Sequence, residues 1–444
     1  MTASSPFLPA ELVIDRFPSG TVRVPPSKSL SHRAAICAAL AGGEAAGAVV
    51  RGLGDSEDIR ATVRGIARIV SRDDGQPVDC GESGSTLRFL IPLAAMAGGA
   101  WRFTGRGRLL ERPLQVYADV FRAHGGEGSY FIQEDGEVRV RGPLLPGDYL
   151  LPGDVSSQFL TGLLLALPLA AGDSRLSLTS AAESADYVRL TVDVMRAFGV
   201  RANEERAAGQ GAGADADAGT AASEMRADAS TEAAGLETLA CGDAVVAADG
   251  YRIPGGQAYA PAAYTVEGDW SQAAFFLCAA ALGRDVRVEG LRPDSHQGDR
   301  RAAALVEAIR TGQGTVIDCR DIPDLVPPLA ALACYARGVT RFVNAGRLRI
   351  KESDRLAALA QELSNLGAGV REEGDALVVA GVGDGQSPTG SGLPGGRADA
   401  HGDHRIAMAV AVAAIGCRNP VRLTGADSVA KSYPHFWEDF LKAR

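Results

Sequence analysis

Two kinds of helix-period segment alternate along the chain. Six run apolar nearly all round and mostly end at glycine: "SLSHRAAICAALAGG", "GSTLRFLIPLAAMAGG", "SSQFLTGLLLALPLAAG", "WSQAAFFLCAAALG", "DLVPPLAALACYARG" and "HRIAMAVAVAAIG". A helix with no polar face has to lie inside a domain, and glycine readily takes the conformation that ends it. Each is followed by an amphipathic partner: "SEDIRATVRGIARIV", "LQVYADVFRAHGG", "DYVRLTVDVMRAFG", "DRRAAALVEAIRTG", "SDRLAALAQELSNLG" and "SYPHFWEDFLKA". Their apolar residues recur at helical spacing with charge elsewhere, which predicts surface helices. Short pieces such as "VRVRG", "SLTS" and "ALVVAG" read as strands. The pattern predicts six copies of one unit, each with a buried helix, a surface helix and several strands. Three copies precede a polar segment and three follow it, so the expectation is an α/β protein of two similar domains.

The polar segment, residues 203–243, has almost no aromatic or large aliphatic side chains. It buries too little apolar surface to offset the entropy of ordering and predicts a disordered surface insertion. A second Gly/Pro-rich loop spans 381–399. Composition otherwise fits a globular chain: 444 residues, 46% hydrophobic and 22% charged. No apolar run reaches membrane-spanning length, and the N-terminus lacks a secretory pattern, so a cytoplasmic protein without a membrane partner is expected. Seven scattered cysteines, none in CxxC, predict reduced core thiols and no zinc site. The net charge is −9, which argues against nucleic acid as a partner. Nine acids against two bases place −7 of it in 203–243, leaving −2 for the folded part. A cationic pocket is compatible with that balance.

Candidate chemistry stands at the front of the buried helices. Their first turns carry Lys28, Ser29 and Arg33; Gly84, Ser85 and Arg88; Ser156, Ser157 and Gln158; Asp269 and Ser271; Asp324; and Asp403, His404 and Arg405. Helix N-termini offer unpaired N–H groups and attract phosphate and carboxylate, and Ser or Asp there are also ordinary caps. Arginines in a first turn oppose the helix dipole, so Arg33, Arg88 and Arg405 suggest an anion in front of them. Only four of the 45 cationic side chains are lysine, and Lys28, Lys351 and Lys431 sit in polar motifs while Lys442 does not. Lysine is a compact charge with a tunable pKa, suited to a site between phosphate and a proton-transfer centre. Asp324 and Glu352 are the acids suited to proton transfer beside those lysines. "VPPSKS" lacks the glycine-rich loop of a nucleotide site, "HGDHR" lacks further metal ligands, and no GxSxG motif occurs.

Seven motifs, in order over about residues 20–440, carry a family resemblance: "SKSLSHR", "GESGSTLRF", "GRLLERPL", "DVSSQFLTGLLLALPL", "DIPDLVPPLA", "RIKESDRL" and "GDHRIAMA". The chain resembles the 3-phosphoshikimate 1-carboxyvinyltransferase (5-enolpyruvylshikimate-3-phosphate synthase) family of enolpyruvyl transferases. The resemblance implies transfer of the enolpyruvyl group from phosphoenolpyruvate to the 5-hydroxyl of shikimate 3-phosphate, through a tetrahedral intermediate and with release of phosphate. It implies an inside-out α/β barrel fold of two domains, each three βαβαββ units around buried parallel helices, that close by a hinge. The domains would be 25–267 and 1–24 plus 268–444, with the hinge near 24 and 268. A monomer with no cofactor and no metal is implied too.

Carried over by motif, Lys28, Ser29, Arg33, Ser156, Ser157, Ser184, Asp324 and Lys351 would hold shikimate 3-phosphate. Lys28, Gly84, Arg112, Gln158, Arg355, Arg405 and Lys431 would hold phosphoenolpyruvate. Asp324 would take the hydroxyl proton and Glu352 would protonate the methylene carbon, with Lys28 a third catalytic residue beside them. Three departures stand out. Glu82 replaces the asparagine of many relatives, Phe89 replaces proline, and Arg347 replaces a substrate-contacting asparagine. "AESADY" lacks the lysine and proline that often follow Ser184, which bears on Tyr187 as well. The alternative of a UDP-N-acetylglucosamine enolpyruvyl transferase is opposed by the missing loop cysteine in "GRGRLLERP". A catalytically silent relative is opposed by intact Asp324, Glu352 and three lysines.

Overall fold

A computed structural model of the chain describes residues 11–180, 184–205, 238–239, 250–383 and 389–442. Twelve α-helices are present among them. The first six are α1 (Lys28–Leu40), α2 (Glu57–Ser71), α3 (Gly84–Ala97), α4 (Gln115–His124), α5 (Ser157–Ala166) and α6 (Ala185–Ala197). The second six are α7 (Trp270–Ala281), α8 (Ala302–Thr311), α9 (Val326–Ala333), α10 (Arg355–Asn365), α11 (His404–Ala414) and α12 (Phe436–Phe440).

One repeat shows how the chain builds its unit. Strand Val78–Asp79 leads through α3 to a parallel neighbour, Ala100–Thr104, then through α4 to the hairpin Tyr130–Glu134 and Glu137–Arg141. Glu137–Arg141 pairs antiparallel with Ala100–Thr104, giving a four-stranded βαβαββ unit. Parallel strands need such a helical crossover, whereas the hairpin needs only the Asp135–Gly136 turn. The same order recurs over 148–253, around α5 and α6, and over 315–380, around α9 and α10.

Burial follows the hydrophobic pattern. All of α11 is buried, and α3 is buried from Gly84 to Ala95 except at Ser85. In α2 only one face is covered, at Ile59, Thr62, Ile66 and Ile69. Where α5 meets α3, a Cβ on Gly162 would stand 2.5 Å from the Arg88 carbonyl, so glycine sets that close helix contact. Two apolar cores result. One gathers residues from Leu30 to Val266; the other joins Leu12, Ile14 and Val22 to residues 274–440. Strand Glu11–Ile14 lies antiparallel to Val421–Thr424, and Gly20–Arg23 parallel to Val286–Glu289. The chain passes between the cores twice at adjacent points, where Ser27 N donates to Glu267 O at 2.7 Å and Asp269 N to Pro25 O at 2.9 Å. Four of the cysteines, 37, 80, 278 and 334, are free and buried, and Cys319 is buried as well.

Two expectations are corrected. The last amphipathic segment forms only the short α12, because Pro434 disfavours helical backbone at Tyr433 before it; Phe436 and Phe440 still face Phe276 at 5.9 and 6.1 Å between ring centres. Residues 203–243 are also not wholly an irregular insertion. Asn203–Glu205 pairs antiparallel with Gly250–Arg252 as the hairpin of the third unit, and Thr238–Leu239 lies parallel to Val316–Ile317. The extra residues therefore stand between the two strands of a hairpin whose first strand is a sheet edge. The expected disorder between those strands falls outside the described residues.

Candidate functional site

The first turns of α1, α3 and α5 open on one cleft of about 110 Å³. Serine caps start all three helices. Ser27 Oγ accepts from Leu30 N at 3.5 Å, Ser83 Oγ from Thr86 N at 3.1 Å and Ser156 Oγ from Gln158 N at 3.3 Å. From the other core come the turn before α9, the segment 346–352, and the starts of α10 and α11. Asp324 lies in that turn and does not cap α9, so the capping role open to it from sequence is not the one it fills.

Cations dominate the first-core wall. Lys28 Nζ pairs with Asp58 Oδ2 at 3.2 Å, while the Lys28 backbone N–H is held by Asp269, the cap of α7. Burial pushes the Asp58 carboxyl up, against the pull of Lys28. Arg88 donates to Gln158 Oε1 at 2.8 Å, and Gln158 Nε2 donates to Ser85 Oγ at 3.0 Å, so the arginine orients the glutamine amide. Two guanidinium groups lie close against Gly84. A Cβ there would stand 2.7 Å from Arg112 Nη1 and 3.0 Å from Arg88 Nη1. Arg33 behaves differently from its neighbours. Its guanidinium donates to Thr191 Oγ1, Ser29 O, Thr161 Oγ1 and Tyr187 O, which ties α1 to α5 and α6. Burial lowers its pKa to about 10.

Acids and cations interleave on the second-core wall, and Arg355 is their hub. It donates to Asp403 Oδ2 at 2.7 Å, Asp324 Oδ1 at 3.1 Å and Glu352 Oε2 at 2.5 Å, and is 2% exposed. Burial alone would lower its pKa, but the three carboxylates raise it above the usual arginine value. Arg405 takes the other Asp324 oxygen at 2.9 Å and the Asp324 carbonyl at 2.9 Å. Burial opposes ionisation of Asp324, yet Arg405, Lys351 and Arg355 outweigh it and hold the carboxyl well below its usual range. Glu352 is held down likewise, against burial, by Arg355 and by Arg112 at 3.4 Å from the opposite wall. Lys351 is lowered to about 8, first by burial and then by Arg347 and Arg355, despite Asp324. His404 is buried, and burial plus the charge of Lys28 keep its imidazole neutral.

The cleft gathers every residue assigned from sequence to a substrate or to catalysis except Lys431, while Asp269, Ser271 and Asp403 do not line it. Ser184 lines it in the left-handed conformation, φ +59°; its N–H donates to Asp321 and its hydroxyl accepts from Arg347 at 3.0 Å. Tyr187 and Arg347 line it too, and Phe89 lies beside them. Lys431 Nζ instead donates to Glu82 Oε2 and to the Gly402 carbonyl, each at 2.5 Å. Sequence reading missed Asp58 as the partner of Lys28. An acid in the first turn of an amphipathic helix reads as ordinary dipole compensation, and only docking of α2 on α1 buries it.

A family model described as EPSP synthase (3-phosphoshikimate 1-carboxyvinyltransferase) matches residues 18–212 and 244–440. The 3-phosphoshikimate 1-carboxyvinyltransferase of Clostridium kluyveri is 39% identical over 95% of this chain and 94% of its own. The protein of that name from Clostridium perfringens is 36% identical over 95% of each. Among solved structures, an EPSP synthase from Acinetobacter baumannii superimposes with a TM-score of 0.67 at 22% identity, over 96% of this chain and 97% of that one. The enolpyruvyl transferase NikO from Streptomyces tendae gives 0.64 at 18%, over 98% and 97%. The architecture is that of the two-domain enolpyruvyl transferases.

Proposed function

This chain belongs to the EPSP synthase family, and from that premise we propose that it transfers the enolpyruvyl group of phosphoenolpyruvate to shikimate 3-phosphate, releasing phosphate. The observation that carries the reading is the shared cleft. Helix N-termini and cations of one core face Asp324, Lys351 and Glu352 of the other across it. Each substrate brings a phosphate and a carboxylate, and only a preorganised cationic wall offsets their repulsion.

Shikimate 3-phosphate is assigned to Lys28, Ser29, Ser156, Ser157, Ser184 and Lys351, with its 5-hydroxyl at Asp324. Arg33 serves it indirectly, since four of its five N–H donors already hold protein oxygens. Phosphoenolpyruvate is assigned to Lys28, the Gly84 N–H, Arg112, Gln158, Arg355 and Arg405. Asp324, kept ionised, accepts the hydroxyl proton as the oxygen bonds to C2, and Glu352 delivers a proton to C3. Loss of a C3 methyl proton and of phosphate then forms the enol ether. Glu352 can carry a proton only once its arginines are drawn off, and an incoming substrate anion competes for Arg112 and Arg355. Substrate binding thereby raises the very pKa that the arginines depress.

The same reading makes the protein a cytoplasmic monomer whose cores, divided near 24 and 268, close over the substrates. Among the described residues no helix is long and apolar enough to cross a membrane. The deciding experiment mixes purified protein with shikimate 3-phosphate and phosphoenolpyruvate and follows phosphate release. Release with UDP-N-acetylglucosamine in place of shikimate 3-phosphate, and none with the latter, overturns the reading.

A further inference from the structure

The second core grips the start of α6. Ser184 N donates to Asp321 Oδ1 at 2.8 Å, Arg301 donates to Asp186 Oδ2 at 2.5 Å, and the Tyr187 hydroxyl donates to Asp299 Oδ2 at 2.8 Å. The helix itself packs in the first core through Val188, Leu190 and Val192. Asp299 and Arg301 lie on the 3₁₀ turn Gly298–Arg301, which leads straight into α8 of the second core. Ser184 and Tyr187 line the cleft, whereas Asp186 and Arg301 stand outside it.

An acid in the first turn of a helix reads as dipole compensation, but Asp186 is only 5% exposed and serves two helices. Arg301 stands at the start of α8, where a cation opposes the dipole, and neither α6 nor α8 has a side-chain cap. The Asp186 carboxylate supplies an anion at both starts. Gly298 lies close against it, since a Cβ there would stand 3.1 Å from Asp186 Cβ and Cγ. Burial pushes the Asp186 carboxyl up and Arg301 pulls it back, so either partner alone would be left buried and uncompensated. Asp186 is also one of the departures in "AESADY". Where proline would fix the first turn by its ring, an ion pair to the other core fixes it here.

The pair bears on the substrate groups beside it. Ser184 holds a left-handed backbone, φ +59°, which a serine keeps only where its surroundings over-determine it. We propose that Asp186 and Arg301 form an interdomain clamp that positions Ser184 and Tyr187 for shikimate 3-phosphate. Both are positioning residues and act on the substrate only through those neighbours. Part of the site on the first core is thereby set by the second, and the substrate meets it complete only when the cores are together.

This inference rests on the reaction proposed above, and its test separates the two. Wild type, Asp186→Ala, Arg301→Ala and the double variant are assayed for phosphate release, each substrate being varied at saturation with the other. Thermal melting follows the fold. Each single change is expected to raise KM for shikimate 3-phosphate roughly tenfold, with kcat and KM for phosphoenolpyruvate changed less than about threefold. The double variant should be no worse than either single one, because both lose the same contact. Single variants that melt lower but keep the wild-type KM for shikimate 3-phosphate overturn the clamp, since the pair then only stabilises the fold. So does a double variant whose loss is the product of the two single losses. Asp186→Asn keeps the side chain's shape and removes its charge. The same rise in KM is expected of it, and a wild-type KM overturns the clamp even where an alanine variant fails to fold. A wild type that releases no phosphate rejects the reaction, and calorimetry then decides the clamp. It stands if the single variants weaken the Kd for shikimate 3-phosphate, and falls if that Kd is unchanged or the wild type binds none.

Discussion

Arg112 on the first core and Glu352 on the second meet across the cleft at 3.4 Å, while Arg355 holds the other Glu352 oxygen at 2.5 Å. One carboxylate thus reports on both the closeness of the cores and the occupancy of the arginines. Removing its charge removes the proton carrier but leaves the phosphate ligands of α1 and α5 in place. Glu352→Gln is expected to lower kcat by roughly 10²- to 10⁴-fold while the Kd for shikimate 3-phosphate, from calorimetry, changes little. Turnover near the wild-type rate removes Glu352 from the chemistry.

Lys28 is predicted to be irreplaceable by arginine. Its ammonium reaches Asp58 at 3.2 Å beside the first turn of α1, and a longer planar fork cannot sit at that point without displacing Asp58 or a substrate oxygen. Lys28→Arg should lose most activity in a phosphate-release assay. Lys442→Arg, on an exposed side chain paired with Asp439, should keep it. Equal activities would show that the choice of lysine at 28 carries no chemistry.

Lys351 gives the site an alkaline limb. Its folded pKa of about 8 lies below the ordinary lysine value of 10.5, so between those values the unfolded chain binds the extra proton. The cost of the buried charge is present in full below pH 8 and is relieved as pH rises toward 10.5, so this residue's contribution to stability increases over that window. Anion binding has the opposite sign, since only the protonated lysine attracts phosphate. The Kd for shikimate 3-phosphate is expected to weaken as pH rises through 8, and Lys351→Arg to flatten that limb. A wild-type Kd that is constant from pH 7 to 9 rejects the assignment.

Replacing residues 206–249 by Asp-Gly should preserve turnover. The flanking strands pair Glu205 with Gly250, just as Glu134 pairs with Glu137 around the Asp135–Gly136 turn. A two-residue turn fits that register, and the only described residues removed are Thr238–Leu239, the edge strand beside Val316–Ile317. We expect kcat within about twofold of wild type, because shortening the connection between two paired strands changes closure entropy only modestly. A collapse of activity at unchanged thermal stability would give the segment a catalytic role.

Much of the fold was legible because burial leaves a one-dimensional mark. Helices as uniformly apolar as α3 and α11 have no face for water, and their partner α2 shows its single covered stripe at helical spacing. The site was legible where a residue broke a local rule: Arg33, Arg88 and Arg405 at positive helix ends, and Lys28 and Lys351 in an arginine-rich chain. Asp58 broke none and went unseen. At the C-terminus the helical period overstated α12, because Pro434 keeps the residues before it out of the helix.

By itself, then, the sequence determined the repeat, the buried and exposed helices, the family and the groups that face the cleft. These follow from propensity, periodicity and motif order, which are local. Only the tertiary structure decided who pairs with whom. Arg355 could have met substrate alone but meets Asp403, Asp324 and Glu352; Arg33 spends its donors on α5 and α6; Lys431 goes to Glu82, 349 residues away. Charge attracts any opposite charge within reach, and reach is set by how two cores and six helix ends are packed, not by the order of residues along the chain.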